Sequence, residues 1–410
     1  MIIKKINKAM MSGDFLLRGI KKVDRSLQSL AIKRFEKKIP VDNNKIMFVT
    51  FQGKYTCNPK AIAEEILRQK LPYELVWVAF GENITNLETF RDYPKELKIV
   101  KRGSYEFYEQ AASAKIIIDN ALNMEYLNFN KKKEQIVIQT WHGSLGLKKI
   151  NDVSDQKWIK KAFNYASKTD YCISNSKFET NEVYRDSYWK DNKILEYGHP
   201  RNDILFLPKT NKEIKKIDSK VREFFNLDKK TKIFLYAPTF RETDDAEAYN
   251  INFEEVLKAL NKKFNGTWVV LVKLHFKDRK GLKLITDSKN IINATNYSDI
   301  QDLIAVSDIA LTDYSSWICD WVLTKKPGFL FASDLKKYIS ERGFYYPLEE
   351  TPFPIAETND QLIDNILNFD IDKYEEKRQE FLEKRGCCEN GTASKQVVEL
   401  IKGIIDKESR

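Results

Sequence analysis

Three histidines are the residues of this 410-residue chain best suited to proton transfer near neutral pH. His142 lies in Gln-Thr-Trp-His-Gly-Ser, His199 in Tyr-Gly-His-Pro-Arg-Asn-Asp and His275 in Val-Lys-Leu-His-Phe. A neutral imidazole can accept a proton, and either form can hydrogen-bond a phosphate. Because these short motifs end predicted strands or form turns, they indicate an enzyme. A structural role is the alternative for each histidine, and for His199 neither role is favoured.

A serine-rich turn in the second half of the chain offers donors for an anion. Thr312-Asp-Tyr-Ser-Ser316 follows an apolar run and is predicted to begin a helix. Free backbone N–H groups, hydroxyls and the helix dipole would favour a phosphate there. Lys273 and His275 would flank that phosphate from a neighbouring strand end. The alternative is an ordinary helix cap at Asp313 or Ser315. The turn lacks the GxxxxGK[ST] loop, so P-loop ATP hydrolysis is not predicted.

Other polar turns follow predicted strands. Thr239 and Arg241 come after Tyr236-Ala-Pro and could donate to phosphate oxygens, with a structural turn between domains as the alternative. The turn around His142 suits a base beside an anionic acceptor, and the turn after His199 could equally brace a hinge. The predicted acceptor-side or hinge residues are Gly143, Ser144, Lys148, Arg201, Asn202 and Asp203.

Short apolar runs alternate with helical stretches from residue 41 onward, which predicts a parallel α/β architecture. Ligands of such folds bind beyond the carboxyl ends of the strands, here in a cleft between two doubly wound halves. A helix is predicted over Ser316–Leu323. The predicted units are an N-terminal helical segment (1–40), a first domain (41–205), a linker (206–230), a second domain (231–370) and C-terminal helices (371–410).

The positive charge of the chain is concentrated at its N-terminus. Residues 1–39 contain eleven basic and three acidic residues, whereas the whole chain carries a net charge of +10. Interleaved apolar residues such as Ile6, Phe15 and Leu16 predict a basic amphipathic helical segment, which favours an anionic membrane surface. A solvated helix packed on the core is the alternative. The near-neutral remainder has no nucleic-acid-binding motif, so nucleic acid is not a predicted partner.

The cysteines and the hydropathy indicate a cytoplasmic location. Five cysteines lack metal-ligand spacing, which favours a reducing compartment. Neither a secretory signal peptide nor an apolar run long enough to span a bilayer is evident.

Seven motifs occur together in the order of a known family: Phe51–Ile62, Gln139–Lys149, Gly198–Asp203, Tyr236–Arg241, Lys273–His275, Thr312–Ser316 and Arg342–Tyr345. On these motifs the chain resembles the CDP-glycerol glycerophosphotransferase family, the poly(glycerol phosphate) synthases and primases of teichoic acid and related capsule polymers. The resemblance implies a GT-B fold of two Rossmann-like domains. It places the acceptor on the N-terminal half and CDP-glycerol on the C-terminal half. It also implies a peripheral protein at the cytoplasmic face of the cell membrane, acting on a lipid-linked acceptor.

The resemblance also assigns residues by position. His142 and His275 match the two functional histidines of the family, and Thr312, Asp313, Ser315 and Ser316 match its pyrophosphate-binding turn. Two departures lie beside these positions. Family members usually continue Trp-His-Gly-Thr-Pro-Leu-Lys, where this chain has Ser144-Leu-Gly-Leu-Lys148. They also usually have proline after the second histidine, where this chain has Phe276.

We therefore predict transfer of glycerol phosphate from CDP-glycerol to a hydroxyl of a membrane-linked glycan or polyol phosphate, with release of CMP. The alternatives are the same fold using CDP-ribitol or a nucleotide sugar, and a binding module without catalysis. Neither a cofactor nor a metal ion is predicted. No Asp-x-Asp ends a strand, and the acidic pair Asp244 and Asp245 falls in a predicted loop. Lys273, Arg241 and the serine-rich turn are expected to neutralise the departing CMP.

Overall fold

The computed structural model describes residues 35–408 except 36, 81–92, 123–130, 150–155, 186, 188, 190–191, 241–248, 276–287 and 342. These residues form two α/β domains, each built on a parallel sheet. No helix among them is long and apolar enough to cross a membrane. Most of the predicted N-terminal helical segment lies outside the described residues. At its end, Phe35 packs on the first domain and meets the ring of Tyr105 edge-on.

The first domain has seven strands in the order β3-β2-β1-β4-β5-β6-β7. They are β1 (Asp42–Val49), β2 (Glu74–Ala79), β3 (Lys98–Lys101), β4 (Ala114–Asp119), β5 (Ile136–Gln139), β6 (Tyr171–Ser174) and β7 (Lys193–Glu196). Helices α1 (Cys57–Arg68), α2 (Tyr105–Ser113) and α3 (Gln156–Ala166) and a π-helical segment (Glu179–Tyr184) connect them. The central strands form because isoleucine and valine dominate them and every residue of β4 is buried, as in a sheet covered on both faces.

The second domain has six strands in the order β10-β9-β8-β11-β12-β13. They are β8 (Lys232–Tyr236), β9 (Trp268–Val272), β10 (Ile291–Asn293), β11 (Ile309–Thr312), β12 (Gly328–Phe331) and β13 (Ile355–Ala356). Its helices are α5 (Phe253–Phe264), α6 (Ile300–Val306), α7 (Ile318–Trp321), α8 (Leu335–Glu341) and α9 (Asn359–Leu367). All described strand pairs of both sheets are parallel.

The strand order reverses once in each sheet, and this fixes where a ligand can bind. In the first domain the reversal lies between β1 and β4, and in the second between β8 and β11. A crevice opens beyond the carboxyl ends of strands at such a point, because the connecting helices leave in opposite directions. Residues that follow these four strands are therefore the first candidates for a site.

The segments between and after the domains join them at several points. A 3₁₀ segment (Pro200–Phe206) leads from β7 to α4 (Lys212–Phe224), so a helix occupies much of the predicted linker. The predicted C-terminal unit divides between the domains. Helix α10 (Ile371–Lys384) packs on the second domain, whereas α11 (Ala393–Glu408) buries Val397, Val398 and Ile401 in the core of the first. Each such burial contributes about 1.5–3 kcal/mol, which explains the return of the chain.

Candidate active site

The carboxyl-terminal edges of the two sheets face each other across a cleft. Lys148, in the loop after β5, extends its Nζ to within 3.2 Å of the Oγ1 of Thr239, which follows β8. Lys60 of α1 forms a 2.7 Å ion pair with Asp299, which precedes α6. These contacts join the domains at two positions, so the turns after β5 and β8 lie on opposite walls of one cleft.

His142 lies at the carboxyl end of β5, on the first-domain wall. Its Nδ1 is 2.7 Å from the backbone carbonyl oxygen of Asn120, which follows the neighbouring strand β4. A carbonyl can only accept a hydrogen bond, so Nδ1 carries the proton and the lone pair of the neutral ring is on Nε2. His142 is an exposed residue, but the rings of Phe51 and Trp141 lie against its imidazole and displace water from it. This desolvation, with smaller contributions from the charges of Arg201 and His199, lowers its pKa to about 4.

The turn that carries His142 is held in an uncommon conformation. Trp141 has φ of 50°, a left-handed conformation that is unfavourable for a bulky residue. Its N–H donates to Oε1 of Gln139 at 2.8 Å, and its carbonyl accepts from Nδ2 of Asn58 at 3.1 Å. The indole packs against the imidazole, with ring centroids 4.2 Å apart. A Cβ at Gly143 would lie 2.8 Å from this indole, so glycine is required for the close approach.

Lys273 supplies a cation on the opposite wall. Its Nζ donates to the carbonyl oxygen of Tyr297, close to the position where Thr56 Oγ1 of the first domain bonds Asp299 at 3.0 Å. Desolvation and the charge of Lys54, two residues before Thr56, lower the pKa of Lys273 to about 8. Burial also lowers the pKa of Lys54. The repulsion between two ammonium groups from different domains would be relieved by an anion between them.

His275, like Lys273, lies just after the carboxyl end of β9. Its ring lies partly buried at a centroid distance of 5.2 Å from the ring of Phe240, which follows β8. The imidazole is therefore positioned next to the Thr239 turn, on the second-domain wall.

The serine-rich turn differs from its prediction. The helix predicted over Ser316–Leu323 is only the four-residue α7, followed by a 3₁₀ turn at Val322–Thr324. Neither Asp313 nor Ser315 caps it, because the residue preceding α7 is Trp317 and no side chain bonds its first N–H groups. So short a helix adds little dipole, so the predicted helix bounds are wrong, whereas the anion site itself stays a prediction that depends on the N–H groups and hydroxyls of the turn.

The polar residues of this turn point in two directions. The Thr312 hydroxyl donates to the carbonyl of Ala237 at 2.8 Å, and Oδ1 of Asp313 accepts from the N–H of Thr239 at 2.8 Å. These buried residues therefore fix the turns after β11 and β8 against each other. Ser315 and Ser316 are only partly buried, so their hydroxyls are the better placed to contact a ligand.

Several predicted acceptor-side or hinge residues are structural in this conformation. Ser144 is buried and its Oγ accepts from Nδ2 of Asn175 at 2.9 Å, a contact that suits the hinge alternative, and its role stays a prediction. Asp203 accepts from the first two N–H groups of α11, at 2.9 and 2.7 Å, and so caps that helix. Burial raises the pKa of Asp203, and these hydrogen bonds partly offset it. Asn202 is buried between the domains, donating to Asp320 at 3.1 Å.

His199 is fully buried, and its Nε2 lies 3.4 Å from Glu179 Oε2. This location corresponds to the structural alternative. Arg241, Asp244, Asp245 and Phe276 lie outside the described residues.

Comparison with known proteins identifies the chain. Residues 31–403 match the family model described as CDP-Glycerol:Poly(glycerophosphate) glycerophosphotransferase. The chain belongs to this family. It is 33% identical over 397 residues to the teichoic acid poly(glycerol phosphate) polymerase of Staphylococcus epidermidis, an alignment covering 93% of this chain and 53% of that protein. It is 32% identical over 383 residues to the teichoic acid glycerol-phosphate transferase of Staphylococcus aureus, covering 89% and 94%.

A solved structure of the wall teichoic acid polymerase TagF, a variant soaked with CDPG, superimposes with a TM-score of 0.80 at 30% identity. The match covers 100% of this chain and 99% of that one. The predicted family, its enzymatic class and the GT-B fold are confirmed. The chain spans about half the length of the S. epidermidis polymerase.

The structure also shows residues of this family member that contribute to the site and that the sequence motifs do not assign. Asn58 donates to the carbonyls of the two residues before His142, and the carbonyl of Asn120 fixes the His142 ring. Lys54 adds a cation from the first domain. Asp320 forms an ion pair with Arg201. Asn120 had a signal in the sequence, since a polar Asp-Asn pair follows the apolar run of β4. Lys54 and Asn58 lie in the motif Phe51–Ile62, but that motif gave neither residue a role of its own. Asp320 had no signal, because its partner Arg201 is distant along the chain.

A cavity of about 640 Å³ lies between α1, the 3₁₀ segment Pro200–Phe206 and α6. Lys60, Glu64 and Asp299 line it, and neither predicted catalytic histidine does. Burial disfavours the charge on Lys60, but Asp299, Glu64 and Asp302 outweigh burial and raise its pKa well above the ordinary value. The cavity is therefore lined by the ion pairs that join the domains. Among the described residues, no group of three or more His, Cys, Asp or Glu could hold a metal ion.

Proposed function

We propose that this chain transfers glycerol phosphate from CDP-glycerol to a hydroxyl of a membrane-linked acceptor in the synthesis of a teichoic acid or capsule-type polymer, releasing CMP. The observation that carries the proposal is the state of His142. Its Nδ1–H is bonded to the carbonyl of Asn120, which follows β4 at the switch point of the first domain, and this leaves the Nε2 lone pair available to accept a proton. The opposite wall presents Lys273 and the serine-rich turn, which are suited to a diphosphate.

In the proposed reaction, an acceptor hydroxyl attacks the β-phosphorus of CDP-glycerol. The new bond joins the acceptor oxygen to that phosphorus, while the bond from phosphorus to the bridging oxygen breaks and its electrons leave with CMP. Nε2 of His142 takes the hydroxyl proton. Catalysis then depends mainly on positioning and on stabilising charge, since phosphoryl transfer requires little further covalent chemistry.

Charge on the departing CMP is stabilised from the second-domain wall. Lys273 is cationic below its pKa of about 8. Hydrogen bonds from His275 and from the hydroxyls of Ser315 and Ser316 would add to that stabilisation, and Thr239 and Arg241 stay predicted donors to the phosphates. Lys54 would contribute from the first domain once the domains enclose the donor.

The decisive assay is release of CMP from CDP-glycerol in the presence of a lipid-linked acceptor, with CDP-ribitol and UDP-sugars as competing donors. We expect CMP release and a product extended by glycerol phosphate. A donor preference for CDP-ribitol, or release of UDP, would contradict the proposed donor. Binding of CDP-glycerol without turnover would support a binding module instead.

Turnover is expected to continue in excess EDTA. The cationic and hydroxyl groups of the second-domain wall can neutralise a diphosphate without a divalent ion. The measurement is the initial rate of CMP release with and without EDTA, after dialysis against the chelator. A loss of activity that added Mg²⁺ or Mn²⁺ restores would show that the reaction needs a metal.

The basic N-terminal segment is proposed to bind an anionic membrane surface, at the cytoplasmic face of the cell membrane. A deletion should stop before Phe35, because this ring packs on the first domain. Residues 1–34 contain nine basic and two acidic residues. Each basic residue near an anionic surface contributes about 1 kcal/mol, less at high salt. The deletion should therefore weaken binding to anionic vesicles and slow transfer to a lipid-linked acceptor more than to a soluble analogue.

The control for this deletion is the affinity for CDP-glycerol, which should not change because the donor wall is in the second domain. Neutral vesicles provide a second control, since the full chain should bind them more weakly. If a folded deletion variant binds anionic vesicles like the full chain, the segment has no membrane role.

A further inference from the structure

Arg201 joins the second domain to the turn that carries His142. It lies in the 3₁₀ segment between the domains and is only 8% exposed. Its Nε and Nη2 donate to the two carboxylate oxygens of Asp320 at 2.9 and 3.2 Å. The same Nη2 donates to the carbonyl oxygen of Gly143 at 2.9 Å. One guanidinium therefore connects α7 of the second domain with the residue that follows His142.

Asn58 holds the other side of the same turn. Its Oδ1 accepts from the backbone N–H of Arg201 at 3.1 Å, and its Nδ2 donates to the carbonyls of Thr140 and Trp141 at 3.0 and 3.1 Å. The carbonyls of the two residues before His142 and of the one after it are thus bound by Asn58 and Arg201. A strained turn persists only where its surroundings fix it in this way.

We propose that Arg201, Asn58 and Asp320 form a positioning tie that holds His142 in its reactive geometry and makes that geometry depend on the position of the second domain. Arginine suits this role because its planar fork donates from Nε and Nη2 to both carboxylate oxygens in a fixed geometry while Nη2 also reaches the carbonyl, whereas an ammonium acts as a point charge without that geometry. The inference deepens the proposed function, since it rests on His142 acting as the base.

The charge of Arg201 adds an electrostatic effect to the tie. Among the described residues, Arg201 and His199 are the charged or titratable groups whose fields lower the pKa of His142. Asp320 pairs with Arg201, and Glu179 lies 3.4 Å from His199. A neutral side chain at position 201 should therefore raise the pKa of His142, whereas lysine should leave it nearly unchanged.

The test uses Arg201→Lys, Arg201→Met and Asn58→Ala. Arg378→Lys is the matched control, because buried Arg378 likewise bonds a carboxylate, Glu375, and a backbone carbonyl, Val322, away from the cleft. In Arg201→Lys and Asn58→Ala, kcat should fall about 10²-fold, the cost of a misplacement near 1 Å. The KM for CDP-glycerol should change by less than about threefold, and the thermal midpoint should resemble that of the control.

Histidine NMR gives a measurement that does not require turnover. The chain has three histidines, so ¹⁵N-histidine labelling gives few imidazole signals, and His142→Asn identifies the relevant ones. In the wild type, His142 should be the Nδ1–H tautomer. In Arg201→Lys and Asn58→Ala, we expect tautomer exchange or shifted imidazole signals. In Arg201→Met, the pKa of His142 should rise, which moves the acidic limb of the pH–rate profile to higher pH.

Unchanged His142 signals in folded Arg201→Lys and Asn58→Ala proteins would overturn the tie, and so would a kcat within about twofold of the wild type. A higher KM for CDP-glycerol at unchanged kcat would make Arg201 a binding residue and would also overturn it. If the wild type is inactive but the variants show the expected changes in their histidine signals, the proposed function is refuted and the tie is still supported.

Discussion

Replacing His142 with asparagine is expected to slow glycerol phosphate transfer by about 10²–10⁴-fold, the usual contribution of a general base. The amide of asparagine can keep the hydrogen bond to the Asn120 carbonyl, but it has no basic nitrogen for the acceptor proton. The measurement is CMP release at saturating CDP-glycerol and acceptor. Thermal unfolding and donor affinity serve as controls, and both should stay close to the wild type.

The pH dependence of the wild type and of the His142→Asn variant tests whether His142 acts in its neutral form. Desolvation lowers the pKa of His142 to about 4, so the ring is neutral throughout the physiological range and its Nε2 can accept a proton. For the wild type, kcat/KM should therefore be flat from about pH 6 to 8 with respect to this group. It should decline as pH falls through the pKa, because protonation removes the lone pair. That decline should be absent in the asparagine variant. Full activity of a folded His142→Asn protein would refute the assignment of the base.

Replacing His275 with alanine is expected to lower kcat by about 10²–10³-fold, the cost of removing one preorganised donor to developing charge. The ring lies between the Lys273 strand end and the Thr239 turn, where it can donate to a phosphate of the departing CMP. The measurement is again CMP release, now with the affinity for CDP-glycerol determined separately. His275→Asn should recover part of the lost rate, because the amide keeps a donor.

The acidic limb of the pH–rate profile distinguishes the role of His142 from that of His275. In His275→Ala the limb that reports His142 should stay, because the base on the opposite wall is unchanged. If His275→Ala keeps wild-type kcat in a folded protein, His275 has no part in stabilising the leaving group.

The loop after His142 has a structural role that its sequence motif does not reveal. The sequence shows that Ser144–Lys148 departs from the usual family pattern, which left the role of this loop open. In the structure, Leu145 and Leu147 are buried among side chains of the second domain, and the Tyr345 N–H donates to the Leu147 carbonyl at 3.1 Å. The loop is therefore a contact between domains. Its sequence could not reveal this, because its partners lie about 200 residues away along the chain.

The sequence by itself determined the order of strands and helices and the family. The predicted alternation of apolar runs with helical stretches is confirmed, for example by the apolar runs Glu74–Ala79, Tyr171–Ser174 and Ile309–Thr312, which form β2, β6 and β11. Hydrophobic periodicity and turn residues are local properties, so they can be recognised without knowing which elements pack together. The two candidate histidines followed from the same kind of evidence, since short motifs at strand ends fall in the crevice of a doubly wound fold.

Only the tertiary structure decided which partners complete the site. The tautomer of His142 depends on the Asn120 carbonyl at the end of a neighbouring strand, and the position of its turn depends on Asn58 and Arg201. Likewise, α11 packs on the first domain rather than forming a separate unit. A residue pattern reveals that a group will be buried or polar. Its partner is fixed only when distant segments pack together, because hydrogen bonds and ion pairs require atoms to meet within a few ångströms.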